Sequence, residues 1–240
     1  MRAGVEGAMR TIGLIGGMSW ESTVPYYQHI NRLIGERLGG LHSARLVLHS
    51  IDFHDLEILQ HEGRWDEAGE MLAGAAASLE RAGADCLLIC ANTMHKVAPA
   101  VEAAVRIPLL HIADATGEAV RRRGLRRVGL LGTKYTMEET LLRSRLVERF
   151  GLDVIIPGAE ARDVVHAVIY DELCRGIIAG TSRDKYRQIV KDLEAAGAEG
   201  VILGCTEIGL LLRDEDADVP LFDTTRLHAE AAVEFALQTT

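Results

Sequence analysis

No uninterrupted apolar run in this 240-residue chain approaches the roughly 20 residues that a membrane-spanning helix needs. The N-terminus also lacks the charged-then-apolar order of a signal peptide, so the expectation is a cytoplasmic protein without a membrane partner. Proline is scarce, at 5 residues, and cysteine scarcer, at 4. Neither a disordered chain nor a disulfide scaffold fits that composition, and Cys86, Cys90, Cys174 and Cys205 read as buried or reactive thiols. Basic residues are in deficit. The 26 Lys and Arg stand against 35 Asp and Glu, a net charge of −9 with no basic stripe, which argues against a nucleic-acid surface and leaves small molecules as partners. The glycine spacing of a dinucleotide site is missing, so no nucleotide cofactor is expected. His42, His49, His54 and His61 lack the paired spacings of a metal site, and no metal is expected either.

What is present is a patterned globular chain. Hydrophobic residues make up 48%, and the length suffices to bury about 70% of the unfolded surface. Short apolar runs at residues 11–15, 45–50, 86–90, 108–112, 128–131, 153–156, 201–203 and 220–222 read as strands, and amphipathic stretches such as 66–82 and 183–196 read as helices. Such alternation predicts an α/β fold with parallel sheets.

The pattern then repeats. Gly13-Leu14-Ile15-Gly16 matches Gly129-Leu130-Leu131-Gly132; residues 82–93 match 196–207; and Ile107-Pro108-Leu109-Leu110-His111 matches Val219-Pro220-Leu221-Phe222-Asp223. Three motifs in one order predict two pseudo-symmetric lobes, each a parallel sheet flanked by helices. Residues 9–112 with 220–240 form the first lobe and 113–219 the second, while 1–8 read as a frayed leader or alternative start. Open α/β sheets place ligands at the C-terminal ends of their strands, so the site is expected in the cleft between the lobes.

Two polar corners stand there. Gly204-Cys205-Thr206-Glu207 sets a thiol at a strand end before a helix start, where N–H groups and the helix dipole are expected to favour thiolate. Asn92-Thr93 offers amide and hydroxyl donors suited to an anion. A Cys205 nucleophile with His95, His111 or His228 as base is a further hydrolase-type arrangement, but no residue is visible that would orient the base.

Gly16-Gly17-Met18-Ser19-Trp20-Glu21-Ser22-Thr23, Asn92-Thr93-Met94-His95 and Gly204-Cys205-Thr206-Glu207 resemble the aspartate/glutamate racemase family, and the likeness runs through His111-Ile112-Ala113-Asp114 and Phe222-Asp223-Thr224. It is strongest to the enterobacterial branch with broad or acidic-amino-acid activity. The resemblance implies a two-lobed, cofactor-independent and metal-independent racemase of a small amino acid, aspartate or glutamate, acting as a homodimer. It also implies substrate contacts from Met18, Gln60, Asn92, Thr93, Thr206 and Glu207, and acid/base residues on both faces of the α-carbon. Inversion requires both, because one group takes a proton from one face and another returns it to the other.

The chain departs from that pattern at one position. Cys205 supplies one acid/base, but the internal repeat sets Ala91 opposite it, where the family carries Cys or Thr. Cys90, one residue earlier on a strand, faces the other side and reads as core. A one-base racemase, a cysteine-dependent decarboxylase of the same superfamily, and an inactive or engineered amino-acid-binding variant all remain open. An acidic side chain would also need a cation, with Arg45, Lys96, Lys134 and Arg175 available in the sequence.

Overall fold

A computed structural model describes residues 9–138 and 140–238; the leader expected at 1–8 lies outside them. The strands are β1 (Ile12–Gly16), β2 (Leu46–Ser50), β3 (Cys86–Ile89), β4 (Arg127–Leu131), β5 (Asp153–Ile155), β6 (Val201–Leu203) and β7 (Leu221–Asp223). The helices are α1 (Trp20–Leu38), α2 (Phe53–His61), α3 (Trp65–Arg81), α4 (Ala98–Ala104), α5 (Ile112–Arg122), α6 (Lys134–Glu138), α7 (Thr140–Phe150), α8 (Ala159–Asp171), α9 (Gly180–Ala195), α10 (Ile208–Leu211) and α11 (Thr224–Leu237). All pairing is parallel, in two sheets ordered β2-β1-β3 and β5-β4-β6-β7. The central strand β1 and its neighbour β3 are buried along their whole length, as strands covered on both faces by crossover helices must be. No described helix is long and apolar enough to cross a membrane.

The internal repeat becomes a shared topology. β4, β5 and β6 take in the second sheet the places of β1, β2 and β3 in the first. Gly13 and Gly129 are equivalent even in packing: a Cβ on Gly13 would press on Ala84 and Leu87, and one on Gly129 on Leu193 and Val201. The strand expected at 108–112 is cut down to a single bridge, Leu87↔Leu109. Pro108 has no N–H to donate, and His111 already caps α5, its Nδ1 accepting from the Ala113 N–H, so the chain turns helical before a ladder can extend. Asp223 is the matching cap of α11 and accepts from the N–H groups of Thr225 and Arg226. The expected lobe boundary at 220 also needs correction. β7 pairs with β6 in the second sheet, and it is α11 that returns to pack on α1, because its small residues Ala229, Ala232 and Ala236 fit against Tyr26, Ile30 and Ile34. Cys86 and Cys90 sit in that same cluster, turned away from the cleft.

Beneath this layer lies a buried polar knot. His95 packs on His111 and His228 at 4.4 and 5.8 Å between centroids, and Tyr26 meets His228 edge-on. Every ring has a backbone partner. His228 Nε2 donates to the Leu110 carbonyl, so its Nδ1 accepts from the Tyr26 hydroxyl; His95 Nε2 accepts from the Ile112 N–H, so its Nδ1 donates to the Ala91 carbonyl. These roles require neutral imidazoles. Burial, which penalises the charged form, lowers the pKa of His95 well below the usual value and those of His111 and His228 to about 3.

Stability should therefore fall in acid. An imidazole with a lowered folded pKa contributes stability that is complete above its unfolded pKa near 6.5 and is lost as pH drops towards the folded value, by up to ~1.4 kcal/mol per pH unit for each ring. Urea unfolding at pH 7.5, 6 and 5 is expected to show a progressive loss, with a shallower slope in His228→Gln; a flat profile would contradict neutral burial of the three rings.

Candidate active site

The C-terminal ends of both sheets face one narrow cleft, whose free volume of about 30 Å³ has room for a water or two. All eight residues singled out from the sequence line it: Met18, Gln60, Ala91, Asn92, Thr93, Cys205, Thr206 and Glu207. The loops after β1, β3 and β6 deliver seven of them, and α2 delivers Gln60. Met18 reaches the cleft because Gly17 turns the chain at φ 87°, tight against the Ile51 backbone, where a Cβ has no room. The Thr23 hydroxyl secures that turn by accepting from the Gly17 N–H at 2.9 Å.

Glu207 organises the second corner. Its carboxylate is 2% exposed and accepts four hydrogen bonds. Ser19 Oγ at 2.9 Å and Cys174 Sγ at 3.6 Å donate to Oε1; Cys205 Sγ at 3.0 Å and Thr206 Oγ1 at 2.9 Å donate to Oε2. Four donors fill the acceptor capacity of a carboxylate. Glu207 thus stands in the cleft wall as the group that gathers its neighbours, and Ser19 brings the first lobe to it from 188 residues away in the chain.

The thiol corrects an expectation. A helix start was to lower the Cys205 pKa; instead the thiol is pushed well above its ordinary value, first by burial and then by the Glu207 carboxylate beside it. The helix behind it, α10, is only 4 residues long, too short for a strong dipole, whereas the carboxylate is in direct contact. At rest Cys205 is an acid. Cys174 is raised for the same two reasons.

Asn92 also differs from its expected part. Thr224 Oγ1 donates to the Leu203 carbonyl at 2.7 Å, so towards Asn92 it can only accept, and Asn92 Nδ2 fills that role at 3.0 Å. The amide is fixed, and Asn92 Oδ1 is left buried without a partner. The corner expected to offer donors to an anion presents an unfilled acceptor. Its donor is Thr93, whose hydroxyl lies 3.2 Å from those of both Thr133 and Thr136.

Ala91 faces the cleft, 7% exposed, and presents a methyl group where the repeat sets Cys205 in the other lobe. The sequence reading missed Phe53, Ile169, Tyr170 and Cys174, which complete the wall; a hydrophobic helix residue and a lone cysteine carry no motif that marks them. Arg45 and Arg175 are exposed, Lys134 pairs with Asp163, and Lys96 lies in the adjoining depression with its ammonium 3.8 Å over the Trp65 ring. None of the four lines the cleft, nor does any histidine. Among the described residues no group of three or more His, Cys, Asp or Glu side chains is placed to hold a metal ion.

Residues 15–232 match the family model of Asp/Glu/hydantoin racemases. The broad specificity amino-acid racemase of Bacillus subtilis (strain 168) is 20% identical over 234 residues, 92% of this chain and 96% of that protein. Among solved structures, a candidate Asp/Glu racemase from Yersinia pestis is 55% identical with a TM-score of 0.89, covering 96% of this chain and 100% of that one. An aspartate racemase homologue from Pyrococcus horikoshii OT3 is 36% identical with a TM-score of 0.83 at the same coverage.

Replacing Glu207 by Gln removes the negative charge beside the thiol and substitutes an amide for part of the acceptor. The Cys205 pKa is expected to fall, read as thiolate absorbance at 240 nm against pH with Cys205→Ser as the blank. An unchanged or higher value would show that the carboxylate does not hold the proton on sulfur.

Proposed function

Because the chain belongs to the Asp/Glu/hydantoin racemase family, we propose that it is a cofactor-independent amino-acid racemase in which Cys205 exchanges the substrate α-proton. The observation that carries this reading is the placement of the Cys205 thiol on the same cleft as Ala91-Asn92-Thr93, at the equivalent ends of β6 and β3. The substrate ammonium donates to Asn92 Oδ1, the buried acceptor left unfilled, and the carboxylate accepts from the Thr93 hydroxyl. Cys205 passes its proton to Glu207 Oε2 along the 3.0 Å contact, and the thiolate then takes the α-proton. Returned by the same sulfur, that proton or one exchanged from solvent restores the original enantiomer.

Inversion needs a donor on the opposite face. Ala91 has none to give, so the second proton comes from water or from the Thr93 hydroxyl, and inversion runs behind exchange. A decarboxylase using Cys205 as sole acid is less well supported, because a malonate-type substrate would bring two carboxylates to a cleft that holds Glu207 and, among the described residues, is lined by no Lys, Arg or His.

We also propose a homodimer, formed through the exposed stripe Trp20, Val24 and Tyr27 on α1. Tyr27→Glu is expected to halve the sedimenting mass; unchanged mass at the dimer value, or a monomeric parent, would discard that face.

Amino acids incubated in heavy water should acquire α-deuterium faster than they change hand, by NMR and chiral chromatography. Cys205→Ala should abolish both processes. Ala91→Thr or Ala91→Cys should raise inversion about 100-fold, the low end of what a positioned acid contributes. Exchange that survives in Cys205→Ala would overturn the assignment, and tight binding without any exchange would make the chain a binding protein.

A further inference from the structure

Resting on the racemase reading above, we infer that the substrate is an amino acid with an uncharged side chain. Among the described residues the cleft wall carries no cation to pair with a second negative charge. Beyond the two corners its wall is Met18, Phe53, Met94, Ile169 and Tyr170, drawn from the β1 loop, α2, the turn after β3, and α8. Gln60 gives one N–H of its amide to Met94, Nε2 to Sδ at 2.8 Å, and the further polar side chains there, Thr133 and Cys174, are uncharged. Burial also raises the Tyr170 phenol, so it stays neutral.

Charge of either sign is poorly met here. An acidic side chain would enter beside the Glu207 carboxylate with no Lys, Arg or His on the wall, and like charges at that range repel. Lys96, two residues after Met94, belongs to the adjoining depression beyond Thr93, stacked on Trp65, and Arg175, next to Cys174, is exposed. A basic side chain is attracted by the Glu207 charge but finds its acceptor sites taken by Ser19, Cys174, Cys205 and Thr206, so it would give up hydration without gaining a hydrogen bond there. The ammonium and carboxylate of the backbone have their own partners at Asn92 and Thr93. What is left for the side chain is an apolar wall, which favours an unbranched or branched aliphatic or thioether group and imposes a desolvation cost on any ionised one.

The test uses the full chain with L-norvaline, L-leucine and L-methionine against L-aspartate, L-glutamate and L-lysine. Two quantities are read for each: affinity by saturation-transfer NMR and initial α-deuteration rate in heavy water. The neutral set is expected to bind and exchange at least ten-fold better than either charged set. Phe53→Arg, at the half-buried edge of the wall, should narrow the neutral-to-acidic ratio at least ten-fold with the fold intact by circular dichroism. Faster turnover or tighter binding of aspartate or glutamate, lost in Lys96→Ala, would overturn the inference and leave the racemase reading standing. Preference for lysine, or failure to bind any of the six, would overturn it too. Neutral binding with no Cys205-dependent exchange would sustain the specificity and remove the racemase reading instead.

Discussion

The Glu207 carboxylate, shut between the lobes at 2% exposure, is the constraint on which the site depends. Burying an ionised carboxylate costs several kcal/mol even after relaxation, and only well-made hydrogen bonds offset it. Here the offset comes from four protein donors on two lobes, Ser19 from the first and Cys174, Cys205 and Thr206 from the second. Opening the cleft at Ser19 leaves the carboxylate short of a partner. The lobes are held at this separation by the Ser19–Glu207 bond together with the Thr93 hydroxyl contacts to Thr133 and Thr136, with α11 packed on α1 behind them as the mechanical link.

Two copies of one topology have been given opposite chemistry at equivalent corners. The second lobe ends β6 in a thiol held protonated by a carboxylate; the first ends β3 in a methyl group, a fixed amide oxygen and a shared hydroxyl. The asymmetry is held in place from behind. The Ala91 carbonyl accepts from His95, and Asn92 is oriented by Thr224, so the neutral histidine knot and the α11 N-terminus position the first corner. Acid that protonates the knot would disturb the site by the same route that destabilises the fold.

Much of this was legible in the sequence because it is local or periodic. The alternation of short apolar runs with amphipathic stretches gives the α/β class, and the repeat places β1 against β4 and β3 against β6. The cleft residues follow from strand ends, since a parallel sheet must present its loops on one edge. What could not be read depends on contacts between distant residues. The 108–112 strand is lost to a cap that its own His111 supplies. The β7 pairing, the Ser19 bond to Glu207 and the part of Cys174 need partners 20 to 188 residues away: β6 lies 20 before β7 by its ladder, and Ser19 lies farthest from Glu207. The direction of the Cys205 shift was misread for a related reason. A helix start is visible in sequence, whereas its 4-residue length and the carboxylate's contact with sulfur are not.

A thiol raised by burial looks ill-suited to abstract a proton, yet the relevant change is not ionisation into solvent. When Cys205 hands its proton to Glu207, one negative charge is present before and after, in the same enclosure, 3.0 Å from where it began. The desolvation cost already borne by the carboxylate is transferred rather than added. What does change is hydrogen bonding: Ser19, Cys174 and Thr206 all donate to the carboxylate, and those bonds set the height of the step. A bound ammonium near Asn92 acts the other way, since a cation in the cleft stabilises thiolate and developing carbanion alike. In the mechanism proposed above, arrival of substrate supplies the cation that the resting site lacks, and the base forms only when there is a proton to remove.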